Sequence, residues 1–155
     1  MLFAALILLG LSAGLRTFTP VAVVALALNV AAPLEMQHSP LSFVGSNLGL
    51  LLFGMAAIGE YVFDLLPFAP PRTETFSLAG RVIMGTFASV LMLASTGHHP
   101  IFSVISALGA VAGAFAGYNA RQQLVRRLNV RDFMIAIPED LLAIGLAIAA
   151  VRLIP

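Results

Sequence analysis

Six charged residues stand inside otherwise apolar stretches of this chain: Arg16, Glu60, Asp64, Arg81, Glu139 and Asp140. A charge at the centre of a membrane helix costs about 2.5–3.5 kcal/mol on insertion scales, so such residues pair with one another or line water. Four carboxylates with two guanidinium groups suit a polar site for a proton, a cation or a polar head group. The same residues can equally serve as salt bridges that clamp helices together, with Asp64 and Arg81 snorkelling to the interface. Glu60 and Asp64 are four apart, which puts both carboxylates on one helix face.

The surroundings of these charges are those of a membrane protein. Of 155 residues, 60% are apolar and 10% are charged, and mean hydropathy is +1.02. Soluble domains carry about 25% charged residues, so a water-facing surface cannot be covered. A net charge of +1 without a basic stripe excludes nucleic acid as a partner. The absence of cysteine excludes disulfides and thiol chemistry. All basic side chains are arginine.

A helix needs about 20 residues to cross a hydrocarbon core roughly 30 Å thick. By that measure the chain is all-α, a polytopic transmembrane helical bundle of one domain over 1–155. Five membrane segments are predicted: Leu2–Ala32, Asn47–Leu66, Leu78–Ser95, Ile101–Ala120 and Asp132–Ile154. Proline and glycine punctuate the connections, as at Pro67–Pro71 and Thr96–Pro100. The first segment is too long for one upright helix. Gly14 is placed to end one helix, and Thr19 with Pro20 to cap and open the next, so a break is predicted near Arg16. Pro138 before Glu139-Asp140 predicts a similar break in the fifth. Broken helices at membrane depth are tolerated where they line a cavity. A weak internal likeness relates the stretch around Gly14-Leu15-Arg16 to that around Ala79-Gly80-Arg81, a hint of a repeat over about 14–66 and 79–120.

Orientation follows arginine in the connections. Arg121, Arg126, Arg127 and Arg131 form one basic loop and Arg72 lies on the same side, whereas the connections around Glu35–His38 and His98–His99 hold no arginine. The arginine-rich side is therefore read as cytoplasmic, and five crossings bring the N-terminus to that side as well. Met1–Gly14 lacks a basic start and does not read as a cleaved signal peptide. At 1.5 Å per residue, Glu60, Asp64, Arg81, Glu139 and Asp140 converge on the inner half of the membrane, with Arg16 above them.

Gly109, Gly113 and Gly117 recur at four-residue spacing in the fourth segment and allow close helix approach, either within the chain or across a homodimer. Gly54 and Gly59 suggest close packing around Glu60. His38, His98 and His99 have no metal-ligand spacing, and no metal or other cofactor is expected. No nucleotide loop, GxSxG elbow or HExxH helix occurs, so an enzyme is not expected; a lipid-phosphate enzyme has the right residue types without a diagnostic motif.

Gly14-Leu15-Arg16 followed by Pro20 resembles the opening of a family of small bacterial membrane proteins known as domain of unknown function 4126. Glu60-Tyr61-Val62-Phe63-Asp64-Leu65-Leu66-Pro67 is similar to its Glu-x-x-x-Asp-Lys-x-Pro stretch, with Leu65 in place of the lysine, and Glu139-Asp140 resembles its last segment. The resemblance implies a multi-helix protein of the bacterial inner membrane with no assigned activity. Residues and resemblance together predict a small transporter- or channel-like protein that uses the six charges as its site. Its partners would be the bilayer and a small ion or polar solute. A structural or accessory membrane subunit, in which the charges only pair helices, is the alternative.

Overall fold

A computed structural model of the chain describes residues 1–31, 39–64, 73–129 and 132–153. These form six α-helices: α1 (Leu2–Leu15), α2 (Thr19–Ala31), α3 (Asn47–Phe63), α4 (Thr75–Ser95), α5 (Val104–Leu128) and α6 (Asp132–Arg152). Short 3-10 turns at Pro40–Gly45 and Pro100–Ser103 lead into α3 and α5. No strand occurs among the described residues.

Local chemistry sets the helix ends. The Ser46 hydroxyl accepts from the Gly49 N–H and starts α3. Gly97, at φ +67°, turns the chain between α4 and α5. Asn129 closes α5 in the left-handed conformation. Helix α5 thus continues to Leu128, and most of the predicted Arg121–Arg131 loop is helix; Arg126 and Arg127 lie in its last turn, where cations favour the helix dipole. Pro138 does not break α6, which runs through it.

The first segment breaks where predicted, at Arg16-Thr17-Phe18, but it does not continue across. It reverses. Helix α1 runs parallel to α5: Phe3 meets Phe102 with ring centroids 5.7 Å apart, and Gly14 lies against Ala110 and Ala114. Helix α2 returns antiparallel to α3: Thr19 bonds Tyr61, while Asn29 bonds Gly45 and Asn47. Phe53 of α3 and Phe87 of α4 meet in the same layer with ring centroids 6.1 Å apart and planes tilted by 45°. So α1 and α2 form a hairpin whose two outer ends lie at the end of the bundle that carries His98 and His99, and whose tip points toward the end where α5 stops. The prediction that the N-terminus shares a side with the Arg121–Arg131 stretch is corrected: the two lie at opposite ends. A sequence break marks where hydrogen bonding stops, and only tertiary partners decide whether the chain goes on or turns back.

With 14 and 13 residues, α1 and α2 are each about 20 Å long. The tip stops inside the bundle, because its partners Arg81 and Asp140 lie about 9 Å and 12 Å along α4 and α6 from those helices' first residues.

Helix α1 is the central element, packed on α4, α5 and α6. Its glycines explain how. A Cβ at Gly113 would stand 2.7 Å from the Leu11 carbonyl oxygen, and one at Gly109 3.1 Å from that of Ile7. The close seam made by Gly109 and Gly113 is therefore with α1, inside the chain; Gly117 is buried farther along α5. Gly54 and Gly59, by contrast, have nothing within 4 Å of a built Cβ and do not pack closely.

The outside is apolar. Leu48, Leu51, Leu52, Met55, Ile58 and Val62 are exposed along α3, as are Leu141, Leu142 and Ile148 along α6. Arg16, Arg81 and Glu139 are buried. Water selects the opposite distribution, and hydrocarbon selects this one. Three helices are long and apolar enough to cross a membrane, namely Thr75–Ser95, Pro100–Leu128 with its leading 3-10 turn, and Met134–Arg152; α1, α2 and α3 are shorter apolar helices.

Candidate functional site

The hairpin tip is where the charges meet. Ending α1 and starting α2 within three residues leaves unpaired carbonyls on one helix and unpaired N–H groups on the other. Arg81 of α4 serves the first set: its Nη1 donates to the carbonyls of Gly14 (3.1 Å) and Leu15 (2.7 Å). Glu60 of α3 serves the second: its two carboxylate oxygens accept from the backbone N–H groups of Thr17 (2.7 Å) and Phe18 (2.9 Å). A cation thus caps the negative end of α1 and an anion the positive end of α2. Arg81 and Glu60 themselves approach to 3.8 Å.

Thr19 was expected to cap α2. Instead the Phe18 carbonyl accepts the first helical bond, from Ala22, so Phe18 takes the cap position. The Thr19 hydroxyl meets the Tyr61 hydroxyl at 2.7 Å. Gly14 was expected to end α1; the helix runs one residue further, and Gly14 is buried against α5.

Arg16 lies between the helix ends, fully buried and extended in its backbone. Its Nε donates to Asp140 of α6, and its Nη1 lies 2.6 Å from an oxygen of Asp64. The guanidinium carbon stands 5.5 Å from the centre of the Tyr61 ring, a cation–π contact. That same Asp64 oxygen accepts from Arg121 of α5 at 2.9 Å, and Arg121 lies 3.7 Å from Glu139. All six predicted charges therefore come together, drawn from the hairpin tip and from α3, α4 and α6.

Arg121 is the residue that sequence reasoning missed, since it stood at the head of a polar, basic stretch. A signal was present: Gly109, Gly113, Gly117 and Arg121 continue one four-residue repeat and so share the face of α5 that meets α1. With Arg121 the cluster holds three guanidinium groups and four carboxylates.

Two cavities reach this cluster. The larger, about 410 Å³, lies beside the tip between α3 and α4, lined by Thr17, Phe18, Glu60, Asp64, Glu74 and Arg81 among others. The smaller, about 180 Å³, lies between α5 and α6 and is lined by Arg121 and Glu139 together with Leu15, Gly117, Pro138 and Leu142. The larger falls in the size range of small-molecule sites. Arg16 Nη2 is buried without a hydrogen-bond partner among the described residues.

Among the described residues no three His, Cys, Asp or Glu side chains are grouped to hold a metal ion. His98 bonds Thr96, and His99 accepts from the Ile101 N–H; His38 lies outside the described residues. Comparison with known proteins finds no matching family model, no matching curated protein and no matching solved structure.

Proposed function

We propose that this chain is a small transporter- or channel-like membrane protein whose solute site is the cavity at the tip of the α1–α2 hairpin. The observation that carries this reading is the meeting of Thr17 and Phe18 of the hairpin tip with Glu60, Asp64 and Arg81 on the wall of one cavity of about 410 Å³. Helix ends inside a membrane carry partial charges that can bind a proton, a cation or a polar head group. The arginine end is taken as cytoplasmic and the membrane as the bacterial inner membrane, on the distribution of arginine. We also take the chain as kin to the domain of unknown function 4126 family, because the residues that resemble it are those of the cluster.

The test is flux of protons and alkali cations into liposomes that contain the purified chain. Wild type is expected to conduct above empty liposomes, with Glu60→Gln and Asp140→Asn lowering the rate while the protein stays folded. Unchanged flux in both folded variants contradicts the reading.

A structural or accessory role is the second reading, and the ion pairs that join Arg16 to Asp64 and Asp140, and Arg121 to Asp64, favour it. It predicts no flux and a stable partner that co-purifies. A homodimer seated on α5 remains a proposal for gel filtration with light scattering; its seam would have to lie away from the Gly109 and Gly113 face that α1 covers.

A further inference from the structure

The groups that could hold an anion at the hairpin tip are already engaged. The Thr17 and Phe18 N–H groups donate to the two carboxylate oxygens of Glu60. Arg81 turns each nitrogen to the chain itself: Nη1 to the Gly14 and Leu15 carbonyls, Nε to the Ser77 hydroxyl at 3.4 Å, and Nη2 toward Glu60 at 3.8 Å. An anion entering the larger cavity would have to displace Glu60 from both backbone donors. An enclosed carboxylate stripped of its partners is strongly unfavourable.

What the wall still offers is acceptor capacity. Glu60, Asp64 and Glu74 all line it. A carboxylate only accepts, with about four lone-pair sites on its two oxygens. Each Glu60 oxygen takes one backbone N–H and keeps a lone pair. Glu74, the residue before α4, is exposed and makes no side-chain cap bond. A wall with engaged donors and spare acceptors selects a ligand that brings N–H groups and positive charge.

The rest of the wall sets the body of that ligand. Phe18, Phe63 and Phe76 line the same cavity, and Phe76 is almost fully exposed. Aromatic faces attract a cation and cover apolar surface. A hydrated inorganic ion gains little from them, because it would have to shed its water to touch them. The volume of about 410 Å³ also belongs to the range of organic molecules.

Resting on the solute-site reading above, we propose that the ligand of this cavity is an organic cation, a protonated amine or amidine with an aromatic or other apolar body. Its N–H groups bind Glu60 and Glu74, and its body lies against the phenylalanines.

The test is isothermal titration calorimetry of the full chain in a non-ionic detergent. The probes are benzamidinium, its neutral analogue benzamide, the anion benzoate, and acetamidinium, which keeps the charge and loses the ring. Benzamidinium is expected to bind about tenfold or more tightly than benzamide and benzoate, and about fivefold more tightly than acetamidinium. Glu74→Gln is expected to weaken benzamidinium about fivefold and to leave benzamide unchanged. Phe76→Ala is expected to weaken benzamidinium about threefold and to leave acetamidinium unchanged. Both positions are exposed, so these variants keep the fold. Phe115→Ala, exposed on α5 and outside the cavity wall, is expected to change nothing. Benzamide, benzoate or acetamidinium bound as tightly as benzamidinium overturns the proposal, as does benzamidinium affinity that neither Glu74→Gln nor Phe76→Ala lowers. Flux of protons or alkali cations through a chain that does not bind benzamidinium overturns this inference and leaves the solute-site reading intact. Selective benzamidinium binding at these residues without flux keeps the site and removes transport.

Discussion

Arg16 joins α1 to α3 and α6 through one side chain. It is fully buried, and its two carboxylate partners are 14% and 21% exposed, so neither partner is freely solvated. Removing one member of an enclosed ion pair costs about 3–5 kcal/mol, because the charge left behind has no counter-charge. Arg16→Gln is therefore expected to lower the thermal midpoint in detergent far more than Asp140→Asn, which leaves Arg16 its contact with Asp64. The double variant is expected to be more stable than the sum of the two single losses, since two neutral amides then face each other in place of the ion pair. Additive losses would show that Arg16 and Asp140 do not act as a pair. Charges of this kind were legible in the sequence, because an ionised group in an apolar run has few uses. Arg121 was not, because its polar neighbours Gln122 and Gln123 make the same stretch read as a loop.

At the scale of elements, the break at Arg16 was legible and the reversal was not. The break follows from Pro20 and from a segment too long for one crossing. The direction of α2 follows from contacts that lie far off in sequence, Thr19 with Tyr61 and Asn29 with Gly45. Pro138 misled for a related reason. A proline removes one helical bond and crowds the carbonyl four residues back, yet α6 tolerates it two turns from its start. The glycine spacing on α5 pointed to close helix approach, but which helix approaches Gly109 and Gly113 could not be read from it. That helix is α1, and the seam can be tested. Gly113→Ala puts a Cβ 2.7 Å from a backbone oxygen, so the helices must move apart, at about 1–3 kcal/mol for an overpacked site. Gly145→Ala has open space around it and gains helix propensity, up to about 1 kcal/mol. The two are expected to shift the thermal midpoint in opposite directions. A neutral Gly113→Ala would show that α1 and α5 do not approach this closely.

For the molecule as a whole, composition already excluded a water-covered fold, and the structure turns that exclusion into an arrangement. Apolar side chains face outward, the clustered charges face inward, and a hairpin enters from one end without reaching the other. Its tip places Arg16, Thr17 and Phe18 beside a cavity on the arginine end, while its outer ends stay with His98 and His99. The chain has no cysteine, so one introduced thiol reports its own surroundings. The most direct measurement is the side from which a charged, membrane-impermeant thiol reagent modifies Thr17→Cys in sealed liposomes of known orientation. Modification from the arginine end alone is the predicted result, since Thr17 lines the cavity there. Modification only from the histidine end, or from neither side, would contradict a hairpin tip held in a wet site.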